Sequence, residues 1–335
     1  MSNHAPSLAE RLDLKYWAFS ALAAIAPLAP VWLARRLAVV VGVLAWALVT
    51  PLRKRAERNL RHIPSLAAEP AQLRRAVRRV FVTMALNYYD FFRGRFVTYE
   101  ELSRGWSIPN WQLFEDAIRA GRGVIVMGAH LGPFEYSGWK LSELGYSLLT
   151  PAERLRPERF HRLVERLRNH HEAQLLPGDD RETLRMLMSS LRNGQMAMFA
   201  IDRWVMGSSA EWPLFGTPAR LPTGPFALAA RSDAPVLFLT SWRVGLDRFE
   251  GAVEVITPER MPGGAEAGAA AATGKDREAA IARMRQRVYP LVERYVSAHP
   301  GQWMSALSTV WDEETATGNI AHAENVEPSW ASTAP

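Results

Sequence analysis

Three short apolar runs constrain this chain more than any other feature. Residues 123–128 (Gly-Val-Ile-Val-Met-Gly), 195–201 and 236–243 are too short for core helices and show no alternation of polar and apolar positions. Such runs are strands buried on both faces, and strands of that kind belong to sheets covered by helices. Segments of helical spacing stand between and around them, at 111–120, 133–144, from Pro157 onward, at 181–192, 223–231 and 277–298, the last with Pro290 as an expected kink. Shorter extended pieces are expected at 146–150, 173–176 and 212–215, and the alternation over 249–256 suits an edge strand. The order predicts an α/β fold with a mostly parallel central sheet flanked by helices. There is no cysteine, which excludes disulfides, zinc–thiolate sites, iron–sulfur clusters and a cysteine nucleophile.

The N-terminal part reads differently. Residues 16–34 are nearly uncharged but contain Pro27 and Pro30; Arg35 and Arg36 follow, and 37–50 is apolar again. A spanning helix needs about 20 uninterrupted apolar residues, which neither half supplies. Three readings stand: segments lying in a membrane interface with Trp17, Trp32 and Trp46 as anchors, a buried hairpin, or a true span. A basic collar comes next. Residues 51–95 hold eleven arginines and lysines and three acids, more than the whole chain's net charge of +6, while the residues from Asp312 onward hold five acids and no base. Arginine-rich sequence beside an apolar hairpin suits anionic headgroups, and nothing beyond charge supports nucleic acid. With this bias the hairpin is expected on the cytoplasmic face of the cell membrane. The expected organisation is a membrane-docking helical part at 1–95 with an amphipathic helix over 74–92, an α/β core at 96–311 and a disordered acidic tail at 312–335.

One corner carries chemistry. The strand ending near Met127 runs into Gly128-Ala129-His130-Leu131-Gly132-Pro133-Phe134-Glu135. On one helix His130 and Glu135 would lie about 140° apart, so the pattern makes sense only across a strand-to-helix turn. Gly132 suits the turn and Pro133 the first helical position. His130 then sits at the C-terminal edge of the sheet, where open α/β sheets bind their ligands. By residue type alone, Glu135 is equally a capping carboxylate and His130 a loop histidine. No His-Glu-x-x-His or clustered acid set suggests a metal.

Residues 128–135 resemble the His-x4-Asp/Glu motif of glycerolipid-type acyltransferases, most closely in the lipid A biosynthesis (late) acyltransferases and the phosphatidylinositol mannoside acyltransferases. A second block, Phe215-Gly216-Thr217-Pro218-Ala219-Arg220-Leu221-Pro222-Thr223-Gly224-Pro225, is similar to that family's Phe-Gly-x-Pro-Ala-x-x-Pro-x-Gly-Pro segment. Asp202-Arg203, Arg58-Asn59-Leu60, and Gln302-Trp303 followed by Trp311 also resemble it, and the resemblance covers about residues 15 to 311. It departs where Trp204 follows Arg203 and where Ser208-Ser209-Ala210 precedes Glu211.

The resemblance implies transfer of a fatty acyl chain from a thioester of acyl carrier protein or coenzyme A, used as co-substrate with no further cofactor, to a hydroxyl of a lipid or glycolipid. It implies a membrane enzyme, peripheral, monotopic or single-span, whose partners are anionic lipids, the thioester and the acceptor. The attacking hydroxyl needs a base, and histidine titrates near neutrality. His130 is then the general base, Glu135 the carboxylate that orients it, and backbone N–H groups at the corner hold the oxyanion. Arg154, Arg156, Asp202, Arg203 and Glu211 are the expected contacts to the acceptor's polar head, with Glu211 a candidate second partner of His130. The acceptor is itself the nucleophile, in keeping with the absence of cysteine and of a Gly-x-Ser-x-Gly elbow. The rival functions are a hydrolase on the same fold and a non-catalytic lipid-binding membrane protein.

Overall fold

A computed structural model describes residues 14–143, 146–153, 155, 157–168, 173–178, 181–232, 234–256 and 274–311. The expected tail at 312–335 lies outside these residues. In chain order the helices are α1 (Leu14–Ile25), α2 (Val31–Leu48), α3 (Thr50–Arg61), α4 (Pro64–Ala67), α5 (Pro70–Arg93), α6 (Tyr99–Gly105), α7 (Trp111–Arg119), α8 (Phe134–Glu143), α9 (Glu158–Arg168), α10 (Arg181–Arg192), α11 (Gly224–Arg231) and α12 (Gly274–Ala298). The strands are β1 (Trp106–Ser107), β2 (Val124–Gly128), β3 (Leu148–Ala152), β4 (Ala173–Pro177), β5 (Met196–Ala200), β6 (Ser209–Leu214), β7 (Thr217–Pro222), β8 (Val236–Arg243) and β9 (Phe249–Ile256).

Seven strands form one sheet in the order β1-β9-β8-β2-β5-β3-β4. Its pairings are parallel except between β8 and β9. The alternating strand β9 has only the two-residue β1 outside it, which is why it reads as an edge. The central strands are apolar on both faces because both are covered. Ile125 and Met127 of β2 and Phe238 of β8 pack with Val80 and Phe81 of α5 and Val288, Tyr289 and Val292 of α12. Val124, Val126, Leu237 and Leu239 pack on the other face with Phe114 of α7 and Leu141 of α8. The first of these clusters joins α3, α5 and the sheet, so residues before and after position 95 share one core.

Arg35 and Arg36 do not interrupt the apolar segment. They lie inside α2, an 18-residue helix and, among the described residues, the one long and apolar enough to cross a membrane. Its length is about 27 Å at 1.5 Å per residue. One side of it is built of small side chains: Ala34, Ala38 and Gly42 are buried against α5, and a Cβ on Gly42 would meet the Val82 Cα at 2.6 Å. The opposite side exposes Trp32, Leu37, Val40, Val41, Leu44 and Leu48, and α1 adds Trp17, Leu22 and Ile25. The basic collar is not uniform. Arg53 donates to the carbonyls of Trp46 and Ala47 at 3.0 Å each, closing the C-terminus of α2. Arg93 is buried against Glu101, whereas Lys54, Arg61, Arg74, Arg75, Arg78, Arg79 and Arg95 are exposed.

The extended stretch expected at 212–215 is longer and has a partner. β6 and β7 form a separate antiparallel hairpin, with Leu214 opposite Thr217. Phe215 (φ 51°) and Gly216 (φ 77°) form its two-residue turn, both in the left-handed region that such tight hairpins require. Glu293 of α12 accepts the Phe215 N–H at 2.8 Å and holds the non-glycine residue in that conformation.

Candidate active site

β2 and β5 are adjacent parallel strands in register, with Gly128 opposite Ala200. Two residues beyond each, at the C-terminal edge of the sheet, stand His130 and Asp202. His130 Nδ1 lies 2.8 Å from Asp202 Oδ1. A carboxylate accepts, so the neutral ring carries its proton on Nδ1 and leaves Nε2 as the basic nitrogen. The turn between His130 and α8 depends on Gly132, at φ 53°, where a Cβ would meet the Ser241 carbonyl at 2.5 Å.

Asp202 is wholly buried. Its second oxygen accepts the Trp303 indole N–H at 2.8 Å, and Ser305 adds a further hydrogen bond. Burial raises the Asp202 pKa, but the His130 charge and the bonds from His130, Ser305 and Trp303 outweigh it and hold the carboxyl well below its usual range. Ser305 Oγ also lies 3.3 Å from His130 Nδ1. These partners come from the segment after α12, which is clamped to the motif. Met304 N–H donates to the His130 carbonyl at 2.8 Å, and Gly132 N–H to the Gln302 carbonyl at 3.0 Å. Asn59 on α3 donates to the carbonyls of Ala306 and Ser308 at 2.8 Å each. The Asn59 and Gln302-Trp303 blocks thus frame the site from two distant parts of the chain.

Two expected pairings differ in the structure. Glu135 is not the partner of His130: it lies in the first turn of α8 and is ion-paired with Arg168 of α9, whose Nε is 3.1 Å from Oε1. Asp202 takes the position expected for Glu135, and its complete burial removes it from contact with an acceptor headgroup. Glu211 is exposed on β6 and is not among the hydrogen-bond partners of His130. Arg154 and Arg156 lie outside the described residues. The backbone N–H groups of Leu131 and Gly132 are bonded to the carbonyls of Ala129 and Gln302, so an oxyanion site at this corner would use the first turn of α8.

His130, Glu135, Arg168 and Arg203 line a cavity of about 400 Å³ beside the sheet edge. Most of its remaining wall is apolar, with Phe134, Trp139, Leu148, Leu184, Leu187, Met198, Val205, Met206 and Leu228 among the lining residues. Apolar lining with a few convergent polar groups at one end suits a ligand that is mostly hydrocarbon. Among the described residues no group of three or more His, Asp or Glu side chains is arranged to hold a metal.

The family model for bacterial lipid A biosynthesis acyltransferases matches residues 5–308, nearly the whole chain. The chain belongs to this family. It is similar to the phosphatidylinositol mannoside acyltransferase of Mycobacterium tuberculosis (strain ATCC 25618 / H37Rv), at 30% identity over 137 residues, 40% of this chain and 42% of that protein. The corresponding protein of Mycolicibacterium smegmatis is 29% identical over 154 residues, 42% of this chain and 50% of that one. The chain thus spans about half or less of the length of these curated relatives.

Proposed function

We propose that the protein is an acyltransferase that moves a fatty acyl chain from a thioester of acyl carrier protein or coenzyme A to a hydroxyl of a lipid or glycolipid, with His130 as general base. The observation that carries this reading is the His130–Asp202 pair beside a largely apolar cavity of about 400 Å³. The acyl chain lies along the apolar wall with its thioester carbonyl near His130. Nε2 takes the proton of the acceptor hydroxyl as its oxygen attacks the carbonyl carbon. The C–S bond then breaks, and the imidazolium returns the proton to the departing sulfur. Asp202 holds the ring and stabilises the imidazolium, as the carboxylate of a serine triad does. Such a base contributes about 10²–10⁴ in rate. Arg203, and Arg154 and Arg156 on the segment after β3, contact the polar head of the acceptor.

The acceptor class is a glycolipid of the kind named for the relatives, a lipid A precursor or a mannosylated phosphoinositide. The exposed apolar side of α1 and α2 rests in the headgroup region of the cytoplasmic leaflet, and the exposed collar arginines face anionic lipid and the acidic carrier protein. Close packing of α2 on α5 favours a helix lying on the membrane over one that crosses it. The test is product analysis with a long-chain acyl thioester, with and without extracted membrane lipid. Acylated lipid formed only when acceptor is present supports the proposal. Equal release of free fatty acid in both arms makes the protein a hydrolase and contradicts it.

A further inference from the structure

The turn that carries His130 is held by residues with no place in the chemistry above. Both sides of Gly132 are bonded. Its carbonyl accepts from Asn87 Nδ2 at 2.7 Å, and its N–H donates to the Gln302 carbonyl at 3.0 Å. Both partners are fastened to one side chain or its backbone, Arg243 at the end of β8. The Arg243 guanidinium donates to Asn87 Oδ1 from Nε at 3.2 Å and from a terminal nitrogen at 3.0 Å. The Arg243 backbone exchanges two bonds with the Gln302 side-chain amide, at 2.7 and 2.9 Å. Arg243 also pairs with Asp90, whose other oxygen takes Arg35 at 3.4 Å. Arg243, Asp90 and Arg35 are all buried. Arg35 belongs to α2, the helix whose far side is exposed hydrocarbon.

We propose that Arg35, Asp90, Arg243 and Asn87 form a positioning frame for the His130 turn, so that the membrane-facing helix α2 helps set the catalytic geometry and is more than an anchor. A buried guanidinium inside an apolar helix is costly unless it is paired; Arg35 is paired with Asp90, and Asp90 carries the contact on to Arg243 and the turn. Misplacing a catalytic group by about 1 Å costs up to about a hundredfold in rate. A frame of this kind couples seating of α2 to turnover, so an enzyme whose α2 is displaced keeps its cavity and loses rate. The inference rests on His130 acting in catalysis, but positioning of its turn is measurable without that assumption.

The test compares Arg35→Met, Arg35→Lys, Asn87→Ala and the Arg35→Met/Asn87→Ala double variant, as full-length protein in vesicles of anionic and neutral phospholipid. Asp90 keeps Arg243 as a partner in Arg35→Met, so the core stays neutralised. Expected are a kcat lower by about tenfold for Arg35→Met and for Asn87→Ala, an unchanged KM for the thioester, and recovery in Arg35→Lys. The double variant falls no further than the weaker single, because one chain of contacts carries both effects. Amide exchange at Gly132 should quicken in Arg35→Met. Multiplying losses in the double variant, or wild-type exchange at Gly132 in Arg35→Met, would overturn the proposal. If Arg35→Met fails to fold, Asn87→Ala alone must show the kcat loss and the faster exchange. Undiminished turnover in His130→Ala would remove the proposed chemistry and leave the exchange result standing, so the two failures are distinct.

Discussion

Asp202, wholly buried, accepts the Nδ1 proton of His130 at 2.8 Å, although 72 residues separate the two in the chain. Its remaining oxygen faces the Trp303 indole N–H. An amide at this position cannot satisfy both donors. In one orientation its NH2 faces His130 and forces the wrong tautomer; in the other it meets the indole N–H. Asp202→Asn should therefore lower kcat by at least about a hundredfold with KM little changed. Glu135→Gln, which disturbs an ion pair with Arg168 in the cavity wall, should cost less than about tenfold. Steady-state rates on both variants decide between them, and the opposite ranking would return the orienting role to Glu135.

The apolar wall makes a second prediction. Leu184 lines the cavity and packs at the edge of the main core. Leu184→Trp places a larger side chain where the acyl chain is proposed to lie. Each lost methylene of binding is worth about 1 kcal/mol, so kcat/KM for a long-chain thioester should fall by about tenfold or more relative to a short-chain one. A competition assay with two thioesters reads this ratio directly. An unchanged ratio would place the chain elsewhere.

Stability should decline on mild acidification. His62 stacks on Trp311 with ring centroids 3.9 Å apart and bonds Thr217 Oγ1 at 3.0 Å. Burial lowers its pKa below the ordinary 6.5. The unfolded chain therefore takes up the proton first, and stability is lost as pH falls from about 6.5 toward the lower folded value. His299, also lowered chiefly by burial, acts in the same direction. Asp202 acts in the same direction in a lower window: its stabilisation is complete above about pH 4 and is lost only in stronger acid, as pH falls through its depressed value. Urea unfolding between about pH 7 and pH 5 should show a shallower pH slope for His62→Gln than for wild type. Equal slopes would mean that His62 is no more protected from protonation in the folded state than in the unfolded one.

All sheet strands but the two-residue β1, and most helices, are legible in the sequence because burial on two faces leaves uninterrupted apolar runs and burial on one leaves helical spacing. α10 and the strands at 236–243 and 249–256 have the expected bounds. Two elements are less legible for identifiable reasons. Arg35 looks like a break in the apolar segment because its partners, Asp90 and Glu101, are far away in the chain. The β6–β7 hairpin is hidden because its turn uses Phe215 at positive φ, which composition does not mark. His130 is readable as the residue at a strand-to-helix corner. Its partner is not, because Glu135 is near in sequence while Asp202 is near only through the register of β2 and β5. One signal was present: Val124 and Met196, opposite each other in the sheet, each begin a run that reaches its polar residue six positions later, at His130 and Asp202.

The central claim is that His130 is the base for acyl transfer. The direct measurement is the single-turnover rate of acyl transfer to lipid by His130→Ala, on protein whose circular dichroism and thermal midpoint match wild type. A loss of about 10²–10⁴ in rate, with thioester still bound, is the predicted result. Transfer at the wild-type rate by that folded variant would contradict the account.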